Sequence, residues 1–395
     1  MEAPGGPGAP PMWGPGRKLA FGAAPGPKSK VWFTLADGSL SEVLYPTLER
    51  IVLHELRFFA SARGAPPVDD ASDGQHKITW LAPGVPAFTV ESTHHEYRLT
   101  KDFVTDPDEN ALVIAGTFTP ELPDVRLYMQ ASAHWTPGTE GNFSEVLDTH
   151  PPALVMRQQD VWVCIVGPFS RATTGYFRSS DVHVELHDTD GQMTDLYDRA
   201  GPGNVTVGAE LGVRSGSFQL ALGFAHSRAD AEEVARLALQ KGAGSLRTEF
   251  ARRWRAQPDL PAGLAKVSGD DGALARASLT ILRCLEDKFQ APAVPPASRW
   301  RLDAELGGAR PAALDLDRAR PGGAGDPPCV APRGGRMPRP RPLSRDGACR
   351  GPISHPRGSA DTAGSLGGPR RALAFNPGGV HRGSDRVGRV RGRRG

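Results

Sequence analysis

The sequence predicts a mainly β protein: a large antiparallel β-sandwich, then a linker helix, one further helix and a disordered tail. Three observations lead there. Apolar, β-branched runs of five to eight residues, separated by turn residues, fill the stretch from Lys30 to about Phe224. Helical periodicity starts only at Ser227, and after about Gln290 all periodicity gives way to Pro, Gly, Arg and Ala.

The first run, Val31-Trp32-Phe33-Thr34-Leu35, stops at Asp37-Gly38, a dipeptide favoured in tight hairpins. Further strands are expected at Ala111–Phe118, Val125–Ala131, Val161–Val166, Val182–Leu186, Val205–Leu211 and Phe218–Phe224. In the second of these, Val125, Leu127, Met129 and Ala131 alternate with Arg126, Tyr128 and Gln130, the period-2 pattern of a half-buried strand. Val161–Val166 is apolar on both faces, as a strand inside a sandwich should be. With no helices between these strands, a doubly wound sheet is disfavoured.

Ser227 with Asp230 resembles a capping box, and a helical stretch follows to about Arg255. Leu246, Phe250 and Trp254 share one face of it. Gly242 and Gly244 allow either one kinked helix or two, and Pro258 and Pro261 end it. A second helix is expected over about Asp271–Lys288, with Leu274, Ala277, Ser278, Ile281, Leu282 and Leu285 as its apolar stripe. One helix cannot bury such a stripe by itself, so self-association through this orphan helix is expected.

The last 75 residues hold 17 Gly, 11 Pro and 15 Arg, with no Lys, no Glu and a single aromatic, Phe375. Four aspartates leave that tail at +11, so residues 1–320 carry −8 of the formal +3. Such a composition cannot bury enough apolar surface to offset ordering entropy. It is also what a GC-rich gene yields when read out of frame. The expected organisation is therefore a sandwich over 1–225, a linker helix over 226–265, a further helical segment over 266–300 and a disordered tail over 301–395.

Several function classes drop out. No stretch reaches the roughly 18–20 consecutive apolar residues of a membrane helix. Met1 to Gly16 lacks the basic and apolar regions of a signal peptide, which makes a cytoplasmic location the expectation. Cys164, Cys284, Cys329 and Cys349 show neither a CxxC pair nor zinc spacing, and are expected to be reduced thiols. The Arg-rich tail lacks interleaved aromatics and any nucleic-acid module, so no nucleic-acid partner is expected.

Candidate chemistry is sparse, and no catalytic, cofactor-binding or metal residue is assigned. His183-x-Glu185-x-His187 places three possible zinc donors on one strand face, though a solvated polar face is the plainer reading. His94-His95-Glu96 is weaker, since strand neighbours point to opposite faces. Asp188-x-Asp190-Gly191 with Asp195 lacks the Gly and Glu positions of an EF-hand and reads as a turn. Asp37-Gly38-Ser39 has no strand–turn–helix context for a nucleophilic serine. Trp32, Trp80, Trp135 and Trp162 could stack on sugar rings, but core filling is the commoner role of Trp in a sandwich.

A family resemblance rests on a series of short matches in order. They are Ala3-Pro4-Gly5-Gly6-Pro7-Gly8, the Lys30–Leu35 run, Glu42-Val43-Leu44-Tyr45-Pro46, Leu56-Arg57-Phe58 and Tyr97-Arg98-Leu99. Pro168-Phe169-Ser170-Arg171-Ala172, Gly175-Tyr176, Tyr197-Asp198-Arg199-Ala200, Gly203-Asn204-Val205 and Glu286-Asp287-Lys288 follow. Over about residues 1–290 the chain resembles the N-terminal domain of bacterial glucoamylases and glucodextranases, glycoside hydrolase family 15. The resemblance implies a supersandwich, a linker helix, and then an (α/α)6 barrel that carries catalysis, of which Glu286-Asp287-Lys288 closes the first helix. It also implies glucose release from non-reducing ends of α-glucans with inversion, by two carboxylates about 6.5–9.5 Å apart. The sequence departs from the family where the glucose pocket begins. Glu305-Leu306-Gly307-Gly308 leads into Ala309-Arg310-Pro311-Ala312 instead of the family's Gly-Tyr-His-Leu-Val-Trp-x-Arg-Asp, and no Glu follows Glu305. An inactive fragment with a truncated barrel is expected, its partner an α-glucan or oligosaccharide held weakly or not at all. The alternative is a non-catalytic carbohydrate-binding or scaffold module.

Overall fold

The computed structural model describes residues 1–10, 17–133, 141–267 and 269–289. All belong to the unit Met1–Pro321; a second unit, Gly322–Gly395, lies outside them, as do Trp135, Cys329, Cys349 and the expected tail over 301–395.

The elements run β1 (Ala20–Ala23), β2 (Trp32–Ala36), β3 (Ser39–Leu44), β4 (Ile51–Leu53), β5 (Glu55–Ser61), β6 (Val68–Asp69), α1 (Asp70–Asp73), β7 (Gln75–Ala82), β8 (Val85–His94), β9 (Tyr97–Thr105), β10 (Ala111–Pro120) and β11 (Arg126–Ser132). They continue as β12 (Phe143–Leu147), β13 (Ala153–Gln158), β14 (Val161–Val166), β15 (Phe169–Tyr176), α2 (Val182–Asp188), β16 (Arg199–Ala200), β17 (Val205–Leu211), β18 (Gly216–Ala225), α3 (Arg228–Lys241), α4 (Ala243–Arg255), α5 (Ala262–Val267) and α6 (Ala273–Cys284). Two antiparallel sheets form. One has the order β1-β2-β3-β5-β11-β17-β15, with β4 on β3 and β6 on β5. The other has the order β16-β12-β13-β14-β18-β10-β9-β8-β7. The sandwich expected from the strand runs is the fold.

Local chemistry explains the elements. Asp37 and Gly38 take φ of 47° and 70°, and Ala36 pairs with Ser39, so this dipeptide closes the β2–β3 hairpin. On β11 the side chains of Leu127, Met129 and Ala131, with Val125 just ahead of it, enter the core between the sheets. β14 is covered on both faces: Val163 and Ile165 join that core, while Cys164 and Val166 lie under the helices. The Ser227 hydroxyl accepts the Asp230 N–H at 3.1 Å and starts α3. Ala231, Ala235 and Ala238 lay α3 flat on the sheet. Gly223 permits this approach, since a Cβ there would fall 2.3 Å from the Ala231 carbonyl oxygen. Gly242, at φ 75°, divides the helical stretch into two helices, and Leu246, Phe250 and Trp254 of α4 are buried as their spacing indicated.

One strand expectation needs correction. Val182–Leu186 is not a strand but the body of α2. Asp181 caps it by accepting the Val184 N–H at 2.9 Å, and Val182 and Leu186, one turn apart, bury against Phe59, Tyr128 and Met193. An alternating apolar pattern that short satisfies either period. The α6 stripe stays uncovered, as expected of a helix without neighbours: the helix packs through Thr280 and Cys284, while Leu274 and Leu282 are 74% and 52% exposed. The amino end is fastened at the opposite margin. The Ala3 N–H donates to the Arg199 carbonyl at 2.8 Å, the Asn204 side-chain amide donates to the Ala9 carbonyl at 2.9 Å, and the Met1 ammonium pairs with Asp198.

Candidate functional site

The helices converge on one strip of backbone, residues 23–32. The Trp32 indole N–H, on a side chain only 1% exposed, donates to the Cys284 carbonyl at 2.6 Å and so ties the last turn of α6 to β2. The Trp254 indole at the end of α4 donates to the Ala23 carbonyl at 3.1 Å. Four residues beyond Cys284, the Lys288 ammonium donates to the carbonyls of Ala24 and Gly26, the latter at 2.9 Å, and lies 5.7 Å from the Trp32 ring centre. Burial of this amine lowers its pKa to about 8, and burial raises that of the neighbouring Cys284 thiol to about 12. These contacts fix the start of the segment beyond the sandwich. Leu274, Leu282 and Phe289, the last 56% exposed, present apolar surface outward from this junction.

A second feature is a 230 Å³ cleft at the β16 edge of the other sheet. Register builds it: Phe143 on β12 faces Arg157 on β13, which faces Trp162 on β14, and Glu145 faces Arg199 of β16. The Arg157 guanidinium lies 4.5 Å from the Phe143 ring centre and 5.5 Å from that of Trp162. Arg228 donates to Glu145 at 3.1 Å, and the Tyr176 hydroxyl accepts the Gly201 N–H at 2.8 Å. Glu2, carried by the fastened amino end, completes the rim beside Arg199.

Other polar clusters serve the fold. Lys101 is fully buried, pairs with Asp70 and donates to the Gly38 carbonyl at 2.7 Å. The same Asp70 carboxylate accepts from the Tyr97 hydroxyl at 2.9 Å and the Ser92 hydroxyl at 3.1 Å, and burial, reinforced by this charge, drives the Tyr97 phenol upward in pKa. Near a 150 Å³ cavity, burial raises the carboxyls of Glu55 and Asp69, both beside Arg57. Asp69 is spoken for: it bonds Arg57 at 2.5 Å and caps α1.

The candidate donors fare unevenly. On α2, His183 and His187 come together with ring centres 4.8 Å apart, but Glu185 turns aside to accept the N–H groups of Thr194 and Asp195. His183 stacks on Phe59 and burial lowers its pKa. His94, His95 and Glu96 do converge, with donor atoms within 4.8 Å, because they span the β8–β9 turn rather than a strand, which corrects the alternation argument. There the His94 ring accepts the Glu96 N–H at 3.3 Å, and His95 lies 3.8 Å from the Glu96 carboxylate. Asp190 and Gly191 form a turn at φ 53° and 79°. Ser39 is a buried hairpin residue. Trp32 fills the core, Trp80 packs edge-on to Phe88 with ring centres 5.0 Å apart, and Trp162 reaches the cleft. Sequence reasoning missed Arg157 and Phe143. The Gln159-Asp160 turn between two apolar strands, which sets Arg157 opposite Trp162, is the signal that could have found the first. Among the described residues no helix is long and apolar enough to cross a membrane.

Comparison with known proteins agrees with this architecture. A glucoamylase from Clostridium sp. (strain G0005) is 28% identical over 300 residues, which is 73% of this chain and 42% of the relative. The crystal structure of a bacterial glucoamylase complexed with acarbose superposes with a TM-score of 0.68 at 27% identity, covering 73% of this chain and 43% of that one. The chain thus spans about two fifths of the length of the relatives it matches. The family description "Glucodextranase, domain N" matches residues 3–257, from the fastened amino end to the close of α4, and the chain belongs to that family as a glucoamylase-like N-terminal domain.

Proposed function

We propose that this chain is the N-terminal part of an exo-acting, inverting α-glucan glucohydrolase, and that its sandwich is the bed on which the catalytic helices are laid. The observation that carries this reading is the α6 junction. Trp32 and Lys288 hold the helix by its carboxyl end, while Leu274 and Leu282 face outward as an uncovered apolar surface. The likeness to glucoamylases supplies the substrate class.

The polypeptide as written turns over no glucan. Inverting hydrolysis needs one carboxylic acid to protonate the leaving oxygen and a second carboxylate, about 6.5–9.5 Å away, to activate water. The sequence supplies no Glu after Glu305. The buried carboxyls beside Arg57 are engaged in capping and ion pairing. Incubating the purified chain with maltotetraose and following free glucose should give no release above the buffer control. Steady turnover that follows the protein through purification would overturn this reading of the chain.

A further inference from the structure

We infer that the cleft at the β16 edge binds a single neutral pyranose unit of an oligosaccharide, a contact separate from the α6 junction. Its ring-stacking residue is Trp162, and Arg199, Glu145 and Glu2 are its hydroxyl-bonding residues.

The charge pattern selects the ligand class. Two carboxylates, Glu2 and Glu145, face two guanidiniums, Arg157 and Arg199, so the lining is formally balanced. A phosphate or carboxylate ligand would meet two like charges, and so would an ammonium ligand. A neutral ligand that both donates and accepts hydrogen bonds satisfies both kinds of group, and a run of vicinal hydroxyls does this. The half-buried Trp162 indole adds an apolar face that matches the C–H face of a sugar ring. The volume, 230 Å³, lies below the roughly 300–1,000 Å³ of drug-sized pockets and suits one ring rather than a chain.

The site is also set in advance. Arg157 is held by the Phe143 and Trp162 rings, Glu145 by Arg228, and the Gly201 backbone by the Tyr176 hydroxyl. These held groups lose little freedom on binding. Phe143, Glu145, Arg157 and Trp162 stand on strands, in register across β12, β13 and β14.

The choice of α-glucan as ligand rests on the function proposed above; the cleft and its preference for a neutral ring do not. The test is calorimetric titration of the full chain with maltotetraose, isomaltotetraose, cellotetraose and mannotetraose at millimolar concentration. It is repeated for Trp162→Ala and Arg199→Ala. Arg199 is exposed, so its truncation leaves the core intact even if the Trp162 variant fails to fold. Saturable binding of maltotetraose or isomaltotetraose, weakened about tenfold in either variant, supports the inference. Variant-sensitive binding of only cellotetraose or mannotetraose supports the cleft and overturns the α-glucan assignment. Absence of heat with all four sugars, or binding that neither variant alters, overturns the inference.

Discussion

Lys101 shows what a single residue can commit a sandwich to. Period-2 alternation along β9 sets it on the same face as Tyr97, Leu99 and Phe103, which all enter the core, and Lys101 itself is 0% exposed. Its charge is tolerated because Asp70 and the Gly38 carbonyl meet it there. A buried pair of this kind contributes little against an apolar replacement, yet breaking it leaves one charge stranded. Lys101→Met should therefore destabilise the protein by about 3–5 kcal/mol in urea unfolding. Combining it with Asp70→Asn should recover part of that loss; a double-variant loss equal to the sum of the two single-variant losses would mean the two side chains are uncoupled. Nothing in the sequence announces this pair, because Asp70 sits 31 residues upstream on a four-residue helix. Alternation reads which face a residue takes, not what waits for it there.

Among the elements, those longer than two turns were legible and those at the margin were not. Ser227, the alanines of α3 and the Leu246–Phe250–Trp254 spacing of α4 identified their helices directly. The seven-residue α2 read as a strand because its fate depends on Asp181 and on an apolar patch made by Phe59 and Tyr128. The α6 stripe was recognised as apolar, but its orientation depends on Trp32, some 250 residues away. That orientation leads to an expectation for solution behaviour. The full chain should sediment as dimers or larger species, and Leu274→Glu with Leu282→Glu should shift it to monomer in analytical ultracentrifugation. Identical sedimentation of the two proteins would show that another surface is responsible.

In the whole molecule, strand existence was readable but strand partnership was not. β18 pairs with β14 and with β10, and β17 sits between β11 and β15, pairings spanning from about 30 to more than 100 residues. Such partners are chosen by burial of both sheet faces, a property of the assembled sandwich rather than of any window of sequence. The cleft was illegible for the same reason, as it needs four strands in register. Lys288 gives the assembled molecule a measurable pH signature. Its pKa falls from 10.5 to about 8 on folding, so between those values the unfolded chain binds more protons. Its contribution to stability therefore rises as pH climbs through that window, by about 3 kcal/mol when complete. The Cys164 and Cys284 thiols, both pushed up to about 12, act in the opposite sense above pH 9. The comparison must therefore be with Lys288→Met, relative to which the natural protein should gain thermal stability between pH 8 and 10; parallel curves would place the proton elsewhere. The fastened amino end bears on how such experiments are arranged. Because Glu2 stands on the rim beside Arg199 and the Ala3 N–H is bonded to the Arg199 carbonyl, a purification handle or fluorescent label fused ahead of Met1 begins next to the cleft and replaces the ammonium that Asp198 meets by a neutral amide.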